Sequence, residues 1–164
     1  MIQPLGFIDT AAFSSWFHVK HREKMTDGIL NLRTIKPDDV DYSETPLVRE
    51  WKSARAILLR IRNRAAETLK GPTDLGKAFI ETLPPHTGSP WTREDQDYAA
   101  QYARLRICLF SAPGCWTFSG MTQAQLSVGV VNLVENRQLC SELNLSDHPR
   151  THLVVDVRRS DEQA

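Results

Sequence analysis

Polar and apolar residues alternate with a period of two along the last part of the chain. In the segment RTHLVVDV, every second position carries Arg150, His152, Val154 or Asp156. The positions between them are mostly apolar. Because successive side chains of a strand point to opposite faces, this pattern predicts a half-buried strand that presents Arg150 and His152 on one face. A buried guanidinium needs an anionic or polar partner, so Arg150 is a candidate carboxylate-binding residue. An exposed arginine on an edge strand is the alternative.

Several earlier segments also have the composition of strands. They are KAFIETL, ARLRICLFS, CWTFS, LSVGVVNLV and QLCSEL, and prolines and glycines separate them. Short strands at this spacing after a helix are typical of a double-stranded β-helix, the jelly-roll or cupin-like barrel. The sequence therefore predicts a mainly β fold with N-terminal helices (α+β).

The strongest helical periodicity runs from about Leu47 to Lys70. Its apolar residues recur every three or four positions and form one stripe: Trp51, Ala54, Leu58, Ile61, Ala65 and Leu69. Such a stripe predicts a helix packed on a sheet. A shorter helix is expected from Ala11 to about Lys20, followed by a strand at 28–33 and a polar connection at 36–46.

At 164 residues the chain is expected to fold as one domain. Residues 1–75 would form the helical brace and first strands, 76–158 the barrel core and 159–164 a C-terminal tail.

Charge and cysteine content narrow the possible partners. The 20 basic and 20 acidic residues cancel, which gives no electrostatic reason to expect nucleic acid or a membrane surface as a partner. No basic leader segment and no long apolar run is present, and the three cysteines have no CxxC spacing. We therefore expect a cytoplasmic protein with reduced thiols and a small-molecule partner. The sequence does not indicate an oligomeric state.

The segment from about Leu83 to Asp156 resembles the aspartyl/asparaginyl β-hydroxylase family. That family has a glycine, a hydrophobic strand, a metal-binding histidine and then a strand of the form Arg-x-His-Leu-Val-Val-Asp. Here Gly129 lies eleven residues before Cys140, and RTHLVVDV begins ten residues after Cys140. The resemblance implies the double-stranded β-helix fold and Fe(II)/2-oxoglutarate chemistry. It also implies that Arg150 pairs with the distal carboxylate of 2-oxoglutarate.

The same resemblance places the family's iron ligands at positions where this chain has other residues. The family motif His-x-Asp stands about a dozen residues before Arg-x-His, so counting back from Arg104 gives Thr92 and Glu94. Cys140 stands at the distal histidine. Neutral threonine is a poor ligand, and two missing imidazoles remove most of the selectivity of a facial triad. We therefore expect a degenerate site with no metal. The alternative keeps Fe(II) and 2-oxoglutarate with the ligands His86, Glu94 and Cys140, because His86 begins a His-Thr-Gly stretch that matches the family's His-x-Gly variant.

Basic residues remain at the positions that would surround the pocket. Arg104 and Arg106 stand at the family's Arg-x-His and share one strand face by period two. With Arg150 they would bring three guanidiniums to one cavity, where either an anionic ligand or the carboxylates of Glu94 and Asp156 would neutralise them.

Five side chains are also candidates for roles in this cavity. Trp91 and Trp116 would form an aromatic wall, or would simply be core residues. His152 would join Arg150 in binding the ligand. Cys140 would act as a nucleophile with its pKa lowered by the arginines, or would be a small apolar filler. Thr92 is a third candidate catalytic residue, beside Glu94 and Cys140.

Three functional hypotheses follow. The first is an iron-free barrel that binds a small anionic or polar metabolite, such as a natural-product intermediate, for non-oxidative cyclisation or isomerisation. Glu94 would then act as general acid or base, and the arginines would hold developing negative charge. The second is an Fe(II)/2-oxoglutarate-dependent hydroxylase with atypical ligands. The third is a catalytically inactive binding protein.

Overall fold

Two antiparallel sheets form the frame of the protein. The computed structural model describes residues 1–11, 25, 27–35, 42–46, 52–69 and 74–159. The elements in these ranges are β1 (Ile2–Phe7), β2 (Ile29–Ile35), β3 (Tyr42–Glu44), α1 (Lys52–Leu69), β4 (Leu75–Leu83), β5 (Thr87–Gly88), α2 (Gln96–Gln101), β6 (Tyr102–Phe110), β7 (Cys115–Ser119), β8 (Thr122–Ala124), β9 (Val130–Val134), β10 (Cys140–Asn144) and β11 (Arg150–Arg158). The large sheet has the order β1-β9-β6-β11-β4-β2-β3, and the small sheet has the order β5-β10-β7-β8. This is the double-stranded β-helix that the strand pattern predicts.

The strand β11 lies at the centre of the large sheet, and its two faces have different roles. Leu153, Val155 and Val157 belong to the hydrophobic core that includes α1. Arg150 and His152, on the alternate face, line a cavity. The period-two pattern therefore separates the core of the protein from its candidate site.

The apolar stripe of α1 packs on the outer face of the large sheet. Its buried residues in the described part of the chain are Ala54, Leu58, Ile61, Ala65 and Leu69. Full burial of one aliphatic side chain stabilises the fold by about 1.5–3 kcal/mol, so this stripe fixes the helix to the sheet. The predicted stripe is confirmed there, whereas Trp51 lies outside the described residues.

Some elements of the fold were not predicted. The edge strand β1 contains Pro4 and pairs with β9 around an irregularity between Pro4 and Gly6, features that conceal a strand in the sequence. The helix α2 has only six residues and begins after the cap Asp95, which accepts hydrogen bonds from two backbone amides. The predicted connection at 36–46 contains β3. Most of the helix predicted at 11–20 lies outside the described residues.

None of the helices in the described ranges has the length and apolar character needed to cross a membrane.

Candidate functional site

A cavity of about 520 Å³ lies between the two sheets. The large sheet contributes side chains from β4, β6 and β11, and the small sheet contributes β10. The segment after β5 closes one wall with Ser89, Pro90 and the residues from Thr92 to Glu94. Both charged and apolar side chains face this space, so it can hold an organic molecule with polar groups.

Thr92, Glu94 and Cys140, the positions that the resemblance equates with iron ligands, all line this cavity. Thr92 and Cys140 lie directly opposite each other in an antiparallel bridge. The amide of Thr92 donates to the carbonyl of Cys140 at 2.9 Å, and the amide of Cys140 donates back at 2.7 Å. The fold therefore brings these residues together although they are far apart in sequence.

His86 is not part of this group. It is exposed, has a left-handed backbone with φ of 54°, and its Nε2 lies 2.9 Å from Asp147 Oδ1. It does not line the cavity. The alternative ligand set of His86, Glu94 and Cys140 is therefore wrong in its first member, because the loop turns His86 toward solvent.

Glu94 is held by two cations. Lys77 Nζ donates to its Oε1 at 2.8 Å, and Arg104 Nη2 donates to its Oε2 at 2.6 Å. Burial raises the pKa of Glu94, but the bond from Lys77 and the charge of Arg104 outweigh it and the net pKa is lowered. Glu94 is therefore a carboxylate at neutral pH, which fits a general base and not a general acid.

Arg104 has a second carboxylate partner in Asp156, which is fully buried. Arg104 donates from Nε to Oδ1 at 2.9 Å and from Nη2 to Oδ2 at 2.8 Å, and the hydroxyl of Tyr98 donates to Oδ2 at 3.0 Å. Burial opposes the charge of Arg104, yet the bonds to Asp156 and the charge of Glu94 raise its pKa above the usual value. In the structure, Glu94 and Asp156 thus neutralise the charge of Arg104, which is one of the two arrangements expected from the sequence.

Arg106 lies between Glu81 and Glu142. Its Nη1 contacts Glu81 Oε1 and lies 2.9 Å from Glu142 Oε1. Among the described residues, however, Arg106 Nε and Glu142 Oε1 are buried atoms without a hydrogen-bond partner. The charges in this group are compensated, but the hydrogen bonds are incomplete.

Arg150 is surrounded by protein acceptors. Its Nη1 contacts Glu142 Oε2 and donates to the carbonyl of Trp116 at 2.7 Å, while Nη2 donates to the hydroxyl of Thr117. Its Nε donates to Nε2 of His152 at 3.0 Å. To bind a free dicarboxylate such as 2-oxoglutarate, Arg150 would have to leave Glu142.

Two buried groups in this region have shifted pKa values. Burial raises the pKa of Glu142 more than the charges of Arg106 and Arg150 lower it. Burial and the same two arginines hold the pKa of His152 well below its usual value. His152 is therefore a neutral imidazole, and Glu142 is the carboxyl group of the cavity that protonates more readily than usual.

Cys140 is not an activated nucleophile. Burial raises the pKa of its thiol, and this effect outweighs the hydrogen bond with Ser119 and the charges of Arg106 and Arg104. The expected lowering of its pKa by the arginines is therefore wrong, because desolvation is the larger effect.

The expected aromatic wall is also wrong. Trp91 is 54% exposed and packs against Phe118 with a ring-centroid distance of 5.7 Å, and neither Trp91 nor Trp116 lines the cavity. Trp116 contributes only its backbone carbonyl, as an acceptor for Arg150. The aromatic residue that does line the cavity is Phe79 of β4.

Iron does not fit the three converging positions. Both oxygens of Glu94 already hold a cation, and Cys140 is a protonated thiol. Thr92 offers a neutral hydroxyl, which binds transition metals poorly. The donor set therefore lacks the imidazoles and the free carboxylate of a facial triad.

A different group has the composition of a metal site. Among the residues that the structure describes, Glu81, Glu142 and His152 are the group whose ligand atoms all lie within 4.8 Å of one another. Glu81 and Glu142 were not among the residues predicted from the sequence. The same period-two rule places Glu81 on one face of KAFIETL with Phe79, and Glu142 on one face of β10 with Cys140, so the signal was present.

No known family description and no curated protein matches this sequence. Several solved structures have a similar fold. AviO1 from Streptomyces viridochromogenes Tue57 is 16% identical with a TM-score of 0.63, covering 98% of this chain and 90% of that one. The non-heme alpha-ketoglutarate-dependent epimerase SnoN from nogalamycin biosynthesis is 14% identical with a TM-score of 0.65, covering 97% of this chain and 78% of that one.

An oxidoreductase of the 2OG-Fe(II) oxygenase family from Burkholderia pseudomallei is 10% identical with a TM-score of 0.63, covering 81% of this chain and 68% of that one. Identities this low establish the fold alone. The chain therefore has the double-stranded β-helix fold that 2OG-Fe(II) oxygenase-type proteins share.

Proposed function

We propose that this protein binds a small polar organic molecule in the cavity and converts it by proton transfer, without iron and without oxidation. The observation that carries this proposal is the state of Thr92, Glu94 and Cys140. All three line the cavity, yet both oxygens of Glu94 are bound by cations, Cys140 is a protonated thiol and Thr92 offers only a neutral hydroxyl. The cavity and its ionisable residues are nevertheless present.

The lining of the cavity suggests the kind of ligand. A volume of about 520 Å³ lies within the usual range for sites that bind small organic molecules. Ile29, Phe79 and Leu83 give it an apolar part. Because the arginines already have carboxylate partners, the ligand is polar and not strongly anionic. SnoN acts in the biosynthesis of a natural product, and this supports a biosynthetic intermediate as the substrate class.

Glu94 and Glu142 are the acid–base candidates of this cavity. Glu94 stays ionised and would accept a proton from the substrate. Protonated Glu94 would then return this proton to a second atom of the substrate and become a carboxylate again, and Glu142, whose pKa is raised by burial, is the second group of the cavity that would carry a proton. The arginines would stabilise negative charge that develops between these steps. A proton removed at one carbon or oxygen and returned at another gives an isomerisation or a cyclisation.

The second candidate is the Fe(II)/2-oxoglutarate hydroxylase, which the convergence of Thr92, Glu94 and Cys140 favours. The two are separated by measuring the metal content of protein purified with ferrous iron, and by calorimetric titration with 2-oxoglutarate. We expect no stoichiometric iron and no binding of 2-oxoglutarate. Near-stoichiometric iron together with binding at micromolar concentrations would overturn the proposal.

The remaining alternative, an inactive binding protein, requires a ligand for its test. A panel of polar biosynthetic intermediates is screened by thermal unfolding, and each hit is assayed for conversion. Glu94→Gln should abolish conversion while binding persists. Glu135→Gln is the matched control, since Glu135 also pairs with two cations, Arg137 and Arg159, but does not line the cavity. Binding without any conversion by the wild-type protein would make it a binding protein.

A further inference from the structure

Glu81, Glu142 and His152 form a cluster that resembles a divalent-cation site. Glu81 and His152 face each other as partners in the register of β4 with β11. Glu142 reaches them from β10 in the other sheet. One donor atom from each lies within 4.8 Å of the other two. Two carboxylates and a neutral imidazole are a common donor set for divalent metals.

A guanidinium already supplies the cation of this cluster. Arg106 Nη1 contacts Glu81 and lies 2.9 Å from Glu142 Oε1. A single nitrogen therefore stands close to both carboxylates, as a metal ion bound between them would.

The fit between the guanidinium and the cluster is incomplete. Glu142 is 7% exposed, and its Oε1 has no hydrogen bond despite the close approach of Arg106. Arg106 is equally buried, and its Nε also lacks a partner among the described residues. Hydrogen bonds are directional, whereas attraction to a cation is not. The arrangement of these buried atoms therefore satisfies the charge of the two carboxylates but not the hydrogen-bonding geometry of an arginine, as expected for a cation-binding site.

His152 can become a ligand at little cost to its neighbour. Its Nε2 accepts a single hydrogen bond, from Arg150 Nε at 3.0 Å. Arg150 would keep Glu142, Thr117 and the carbonyl of Trp116 as partners if that bond were lost.

We infer that Arg106 is a built-in replacement for a metal ion, its guanidinium occupying a divalent-cation site made by Glu81, Glu142 and His152. This inference rests on the proposed metal-independent function and deepens it. A guanidinium stays charged at every physiological pH, so no chelator can remove the cation that balances Glu81 and Glu142. The substrate class that suits such a charge has a carbonyl oxygen that becomes an enolate during the reaction.

The test removes the guanidinium and supplies a metal. Arg106→Gln and the wild-type protein are titrated with Co²⁺, followed by calorimetry and by visible absorption, which reports protein ligands. The variant should bind one Co²⁺ at least about a hundredfold more tightly than the wild type, because the repulsion between a guanidinium and a dication a few ångström apart is gone. Adding Glu142→Gln to the variant should abolish this gain.

Arg104→Gln is the matched control. Arg104 also bridges two carboxylates, Glu94 and Asp156, but no third metal ligand lies with them among the described residues. This variant should gain no Co²⁺ binding. An equal gain in Arg104→Gln, or no gain in Arg106→Gln, would overturn the inference.

Folding and the proposed function are tested separately. If Arg106→Gln is unfolded without metal, recovery of the β-type circular dichroism spectrum on addition of Co²⁺ supports the inference, and failure to recover counts against it. If the wild type binds metal, and Cys140→Ala removes this binding whereas Glu142→Gln retains it, the proposed function is refuted and this inference is not. If instead Glu142→Gln removes the metal binding and Cys140→Ala retains it, the inference is refuted.

Discussion

Arg150 donates its Nε hydrogen to Nε2 of His152, two residues further along the same strand, at 3.0 Å. Because a guanidinium remains protonated, Nε2 of His152 must be the acceptor, and the proton of the neutral ring is on Nδ1. His152 is 2% exposed, and burial together with the charges of Arg150 and Arg106 keeps its pKa well below 6.5. A neutral histidine beside arginines is therefore built into the cavity.

This histidine makes the stability of the protein depend on pH. Its pKa is lower in the folded chain than in the unfolded chain, so its contribution is fully present above pH 6.5 and is lost as the pH falls below that value. The free energy of unfolding, measured with urea from pH 7.5 to 5, should decrease more steeply for the wild type than for His152→Gln. The raised pKa of Glu142 acts in the opposite direction, so the difference between the two proteins is the quantity to compare. Equal slopes would contradict the neutral state of His152.

Arg104 should be one of the most sensitive positions for stability. Arg104→Met leaves the buried Asp156 and the partly buried Glu94 without their guanidinium, and breaking such a buried pair costs about 3–5 kcal/mol. Arg64 and Glu67 form an exposed pair on α1, so Glu67→Gln should change the free energy of unfolding by less than about 0.5 kcal/mol. Chemical denaturation of both variants checks the contrast. Similar losses in the two would show that Arg104 acts as an ordinary surface charge.

Thiol alkylation should be slow in the native protein at pH 7. Cys108 is fully buried, and burial raises its pKa to about 11. Cys115 is buried as well, while Cys140 is partly exposed and has a raised pKa. We expect Cys140 to react first with iodoacetamide, at a rate that is lower at pH 7 than that of a free cysteine and that increases with pH, because the thiolate is the reactive form. Peptide mapping by mass spectrometry identifies the site, and fast modification of Cys140 at pH 7 would revive its role as a nucleophile.

Two neighbouring leucines of α1 separate core packing from helix formation. Leu58 is 1% exposed and Leu59 is 40% exposed. Leu58→Ala should lower the free energy of unfolding by about 2–5 kcal/mol through loss of buried contacts and formation of a cavity. Leu59→Ala should lower it by less than about 1 kcal/mol, since alanine is an equally good helix former. Thermal unfolding of both variants measures the difference, and comparable losses would mean that α1 does not pack through the predicted stripe.

Local patterns predicted the parts of the protein that depend on local geometry. The alternation in RTHLVVDV predicted the strand β11 and the shared face of Arg150 and His152, because the direction of a side chain from a strand depends only on its position. It did not predict that β11 is central and buried on both faces. The stripe of α1 was equally visible, since helical spacing is also local.

The partners of these residues were not predictable in the same way. Glu81 meets His152 only through the register of β4 with β11, and Glu142 arrives from the opposite sheet. Register and sheet packing join residues many positions apart, and no pattern within one segment encodes them. The sequence placed three arginines near one cavity and named Glu94 and Asp156, which are the partners of Arg104, but it did not identify Glu81 and Glu142, which neutralise Arg106 and Arg150.

The pairing of those arginines also affects how a ligand reaches the cavity. Arg104, Arg106 and Arg150 each have a carboxylate within contact distance, and such close pairs produce little electric field farther away. The protein as a whole has a formal net charge of zero. The association rate of a small ligand with the cavity should therefore depend only weakly on ionic strength.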